Sequence, residues 1–145
     1  MNIKTRSGAA NYKRIKPFLL AADAAGGHYR FTSAGFEPLS VENLEYTDHD
    51  GHPVYGMMHF YMQNGDLMRD PDMTFSVDDA AGTICPLTYQ MDTFGVYQEV
   101  FRVGENGSLR YAPGMLRELD SFLSTWSRNL KHQGFDPSQP FREKA

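Results

Sequence analysis

Over residues 53–63 and again over 72–78 the apolar side chains recur at every second position, and this period of two most constrains the fold. In residues 72–78, Met73, Phe75 and Val77 alternate with Asp72, Thr74, Ser76 and Asp78, the pattern of a half-buried antiparallel strand. In residues 53–63, Val54, Met58, Phe60 and Met62 alternate with Tyr55, Met57, His59 and Tyr61. Both faces of that strand carry apolar bulk, so it belongs inside a sheet. Further strands are expected over 29–32, 39–47, 83–91 and 96–103. Parity switches between Val41 and Leu44, which predicts a bulge near Glu42-Asn43. In 83–91 the alternation sets Cys85, Leu87, Tyr89 and Met91 on one face, with Pro86 at an edge or a break. Asp50-Gly51, Asn64-Gly65 and Asn106-Gly107 supply turns, and 64–72 reads as a polar loop joining two strands.

Helical periods flank this region. Tyr12, Ile15, Leu19 and Ala22 predict a helix over 12–25, with Asn11 as N-cap, Pro17 near the start and Gly26-Gly27 as the stop. Met115, Leu119, Phe122, Trp126 and Leu130 form one stripe of a helix over 113–133, opened by Pro113 and closed by Gly134. The expected architecture is one α+β domain over 1–145. An antiparallel meander of five to six strands carries both helices on one face, with Trp126 in the interface and 1–10 and 135–145 as flexible tails.

Composition narrows the class of function. At 41% hydrophobic and 13% aromatic residues the chain has enough apolar material for a core, which excludes intrinsic disorder. The lone Cys85 allows no internal disulfide and fits a reducing cytoplasm. No apolar run approaches the ~20 residues of a membrane span. The net charge of −4 conceals segregation: residues 1–30 are strongly basic, whereas 31–100 hold twelve acids against Arg69 alone. Direct DNA binding by that acidic middle is disfavoured, because phosphate contacts need clustered cations. An acidic surface suits a basic protein partner.

Four constellations could carry chemistry. Asp48, His49, Asp50 and His52 could hold a divalent cation, although Asp48–Gly51 equally suits a hairpin turn. Asp66, Arg69, Asp70 and Asp72 form a candidate binding loop. Cys85 and His59 could be nucleophile and base, but nothing in the sequence brings them together, and Cys85 reads as a structural thiol. The many sheet aromatics could stack RNA bases, but the acidic surroundings favour a patch for a protein partner. No phosphate loop, dinucleotide fingerprint, nucleophile elbow or paired C-x-x-C is present, and no cofactor is expected.

The runs NGDLMRDPDMTF (64–75) and PLTYQMDTFGVYQEVF (86–101), with weaker support from RNLKHQGF (128–135), resemble a family of small uncharacterised bacterial proteins carried on plasmids and integrative conjugative elements. The resemblance implies a mobile-element setting and transfers no functional residue. The leading expectation is a non-enzymatic accessory protein acting by protein contact. A small enzyme or metal-binding domain using 48–52 and 64–72 is the alternative, and nucleic-acid binding through the basic N-terminal segment the third.

Overall fold

The computed structural model describes residues 3–142. Helix α1 (Gly8–Ala24) leads into strands β1 (His28–Phe31), β2 (Leu39–Thr47), β3 (Pro53–Gln63), β4 (Asp66–Asp78) and β5 (Thr83–Met91). A 3₁₀ turn at Asp92–Phe94 precedes β6 (Val96–Glu99), β7 (Phe101–Val103) and β8 (Leu109–Tyr111). Helix α2 (Pro113–His132) and a short α3 (Gln139–Arg142) follow. Strands β1 to β6 form one antiparallel sheet in sequence order, and β7 pairs with β8 in a second small sheet. This is the α+β meander with two flanking helices that the periodicity predicts.

Register sorts the side chains by face. Tyr29, Val41, Met57, Met73 and Tyr89 sit opposite one another across five strands, and Asn43, Tyr55, Phe75 and Pro86 form a parallel row. These rows meet Ile15, Phe18, Leu19 and Ala22 of α1 and Leu119, Leu123, Trp126 and Leu130 of α2 in one buried cluster. Phe18 meets Phe31 edge-on at 5.0 Å. Each such aliphatic or aromatic side chain contributes about 1.5–3 kcal/mol when fully removed from water. Helix α1 approaches β5 closely at Gly8, where an added Cβ would stand 3.2 Å from the Ile84 carbonyl oxygen.

Several local expectations are corrected. Residues 64–72 are not a loop. Asn64 (φ 52°) and Gly65 (φ 85°) make the whole turn, a conformation with two positive φ angles that matches strand twist. Strand β4 therefore begins at Asp66. Its Pro71 is accommodated because Asp70 and Pro71 together oppose His59 in a bulge, so no ladder N–H is demanded of the proline. The bulge in β2 lies between Asn43 and Thr47, with Glu45 at φ 61°, rather than at Glu42-Asn43. Residues 96–103 are two strands. Buried Val100 separates them, donating its N–H to the Leu87 carbonyl while its own carbonyl accepts from Ala112 N–H. In β5 the extra residue Leu87 reverses parity, so Cys85 faces away from Tyr89.

Helix α1 starts at Gly8, and Pro17 lies in its interior on the exposed side. Asn11 is not the cap. It is fully buried and directs its amide at the Asp120 carbonyl (3.4 Å) and carboxylate (3.5 Å) of α2. That carboxylate also accepts the Ser7 N–H at 3.0 Å, so α2 supplies the anion that the α1 N-terminus needs. Of the segments expected to be tails, residues 1–2 and 143–145 lie outside the described residues. Gly8–Ala10 are helical, and Phe135 and Pro140 are buried.

Candidate binding site on the open sheet face

Alternation sends the other half of each strand to the face opposite the helices. Two rows cross all six strands there: His28, Glu42, Gly56, Thr74, Thr88 and Glu99, and Arg30, Ser40, Met58, Asp72, Gln90 and Tyr97. Towards the β3–β4 turn they continue as Phe60 opposite Arg69 and Met62 opposite Leu67. Met62, Leu67 and Tyr97 are 62%, 47% and 56% exposed, far from the near-zero values of the helix side. This face combines apolar side chains with the carboxylates of Glu42, Asp72 and Glu99.

Its two cations are already engaged. The Arg30 guanidinium lies 5.0 Å over the Phe60 ring. Arg69 donates its backbone N–H and its Nε–H to the same Asp92 oxygen, each at 2.9 Å. Asp92 also accepts from Gln90 at 3.0 Å. The Arg69 side chain and backbone hold the Asp92 carboxyl below its ordinary range. Asp92 belongs to the turn after β5, and sequence reasoning missed it. The only signal was its place three residues before Gly95, whose φ of 62° ends that turn.

The four residues expected to form one site are separated. Arg69 and Asp72 share the open face. Burial pushes the Asp72 carboxyl up, Arg69 pulls it back, and Asp92 and Glu42 push it further up. Asp66 is exposed at the strand end opposite Gln63. Asp70 sits in the bulge and accepts from the Thr93 hydroxyl at 3.3 Å. The arrangement offers charge and shape rather than a convergent acid–base pair.

The second constellation closes the β2–β3 turn. Asp48 Oδ1 accepts the N–H groups of Asp50 and His52, both at 2.9 Å, a local side-chain turn. His52 reaches Asp78 at 3.5 Å, and the His49 ring rests on Phe101 at 4.7 Å. A cavity of about 70 Å³ lies beneath, lined also by Ser76 and Cys85. Among the described residues no three His, Cys, Asp or Glu side chains are placed to hold a metal ion.

Cys85 and His59 lie on opposite faces. Burial, reinforced by the charges of Asp48, Asp120 and Asp50, pushes the Cys85 thiol up to about 12, so it stays protonated near neutrality. His59 packs on Trp126 (5.4 Å) and Phe135 (5.5 Å) and faces the Glu37 and Pro38 carbonyls through Nδ1, 3.2 Å from each. Burial lowers its pKa, against the raising effect of those two carbonyls.

Among the described residues no helix is long and apolar enough to cross a membrane. No curated protein and no solved structure matches the chain. The profile of a domain of unknown function matches residues 10–136, which takes in α1 from its third residue, the whole meander and α2, and the chain therefore belongs to the DUF6908 family.

Proposed function

We propose that this protein is a non-enzymatic binding protein whose open sheet face docks a basic protein segment. The observation that carries this reading is the pair of polar rows across all six strands, with Glu42, Asp72 and Glu99 beside exposed Met62, Leu67 and Tyr97. Apolar and aromatic side chains supply contact area, and the carboxylates select a cationic partner, Glu42 and Asp72 at the centre of the face and Glu99 at its edge, where Arg102 at 3.9 Å and the Tyr97 hydroxyl at 2.9 Å orient it. Asp66 and Asp70 extend the negative rim, and Arg69 holds the β4 end in place through Asp92. The resemblance noted for residues 64–75 and 86–101 supports a cytoplasmic accessory role on a bacterial mobile element.

The test replaces Glu42→Gln, Asp72→Asn and Glu99→Gln together. Proteins retained from a bacterial lysate by the immobilised wild type and variant are identified, and association rates are then measured with the strongest basic protein retained. The expected result is a slower on-rate that added salt mimics, with the melting temperature held within a few degrees. A variant that retains the same proteins at the same rates would remove the open face from consideration.

A further inference from the structure

The helix layer has the opposite electrostatic character. A cleft of about 740 Å³ between the N-terminal segment and α2 is lined by Lys4, Arg6, Arg117 and Arg128. A second cleft, of about 730 Å³ between α1 and α2, is lined by Lys13, Arg14, Lys131 and again Arg128. Arg128 borders both, so the two clefts adjoin at α2 and together make one basic groove. The ion-paired basic side chains elsewhere are Lys16, Arg69, Arg102 and Arg142, so among the described residues no groove cation is neutralised by a carboxylate. The single acid lining either cleft is Asp120, which is 4% exposed and engaged by Ser7 and Asn11.

The length of this tract indicates its ligand. On α2, Arg117, Ser121, Ser124, Arg128 and Lys131 fall at intervals of four and three residues, one stripe along the helix. At 1.5 Å per residue that stripe spans about 21 Å, more than one small anion can engage. Successive phosphates of a nucleic-acid strand match such a row, and the Ser121 and Ser124 hydroxyls suit phosphate oxygens between the cations. The lining offers little for stacking unpaired bases. Phe18 and Phe135 are 5% and 4% exposed, and Tyr111 stands alone at one end. The acids of the open face lie beyond the sheet and a helix layer about 10 Å thick, a separation that salt at 0.1 M already screens. We propose that the groove between α1 and α2 binds the phosphate backbone of duplex nucleic acid without reading base sequence.

The test uses the full chain and a fluorescein-labelled random-sequence duplex of about 20 base pairs, followed by anisotropy from about 50 to 200 mM KCl. Four to six phosphate contacts predict a slope of log K against log salt of about −3.5 to −5.5. Arg117→Glu/Arg128→Glu/Lys131→Glu should weaken binding more than tenfold, and the triple Gln variant less severely. Arg102→Glu/Arg110→Glu/Arg142→Glu changes net charge equally but lies off the groove, and should bind as the wild type does. Melting curves of all three variants establish that each is folded. Absence of binding at the lowest salt, or equal losses in the groove and off-groove variants, would overturn the proposal. So would tighter binding, by tenfold or more, to a single strand of the same length or to phosphatidylglycerol vesicles.

Discussion

Trp126 offers the sharpest test of how the helix layer is held. Its ring is 6% exposed, against His59 at 5.4 Å and Phe122 at 6.1 Å, and its Nε1 is buried with no acceptor among the described residues. Trp126→Ala leaves a cavity between α2 and the sheet and should cost about 3–5 kcal/mol. Trp126→Phe behaves differently. It gives up roughly 50 Å² of buried apolar area, about 1.3 kcal/mol, plus some packing. It also removes a donor whose unmet hydrogen bond costs about 1–3 kcal/mol. The two effects offset, so the Phe variant should stay within about 1 kcal/mol of the wild type. At about 3 °C per kcal/mol for a chain of this size, the Ala variant should melt about 10–15 °C lower. Urea titration followed by far-ultraviolet circular dichroism measures both variants, which lack the chain's single tryptophan as a fluorophore. If Trp126→Phe proves as costly as Trp126→Ala, the indole N–H has a partner and the reasoning fails. An Ala variant costing below about 1 kcal/mol would show that the ring does not support the interface.

The same packing makes His59 a source of pH dependence. Its folded pKa is lowered, so as pH falls through the ordinary histidine range the unfolded chain takes up a proton that the folded chain refuses. Stability should therefore decline from about pH 6.5 downward and be restored as pH rises, and His59→Gln should flatten that limb. Asp92 acts at more acid pH: its lowered pKa contributes stability above the carboxylate range that is lost as pH falls through its folded value. Asp92→Asn should cost about 1 kcal/mol at pH 7, the scale of a partly exposed charged pair, and should remove that acid limb in melting curves. Cys85, with its thiol pushed up to about 12, should resist iodoacetamide at pH 8 until urea unfolds the chain. Cys85→Ser should fold, and rapid alkylation of the native wild type would contradict the burial described.

The elements that were legible in the sequence are those whose side chains sort cleanly by face. Met73, Phe75 and Val77 point inward as their alternation requires, and the α2 stripe buries Leu119, Trp126 and Leu130. Misreadings cluster where backbone geometry overrides pattern. Asp66–Pro71 lacks apolar alternation and carries a proline, so nothing in its composition announces a strand. The two-residue turn at Asn64-Gly65 and the bulge opposite His59 make it one. The start of α1 was hidden because Gly8, Ala9 and Ala10 carry no periodic signal, and because its N-terminal acceptor is Asp120, 113 residues downstream of Ser7. At the candidate site Arg69 was legible as a lone cation, but its partner Asp92 is distant in sequence and reached only through the β4–β5 pairing.

The sheet's boundaries bear on how the molecule can expose one face and stay dispersed. Its outermost strands, β1 and β6, are four residues each, while the inner strands run from nine to thirteen. Strand β6 covers β5 only from Thr88 to Met91, and β1 covers β2 only from Leu39 to Glu42. Each uncovered stretch is unsuited to pairing with a stranger. The free part of β5 contains Pro86, which lacks an N–H, and the free part of β2 is bent by Glu45 at φ 61° with its carboxylate exposed. A second sheet that approaches edge-on finds neither a straight backbone nor a full set of donors. Edge-to-edge growth is disfavoured at these stretches, so association through the faces of the molecule does not compete with strand pairing there.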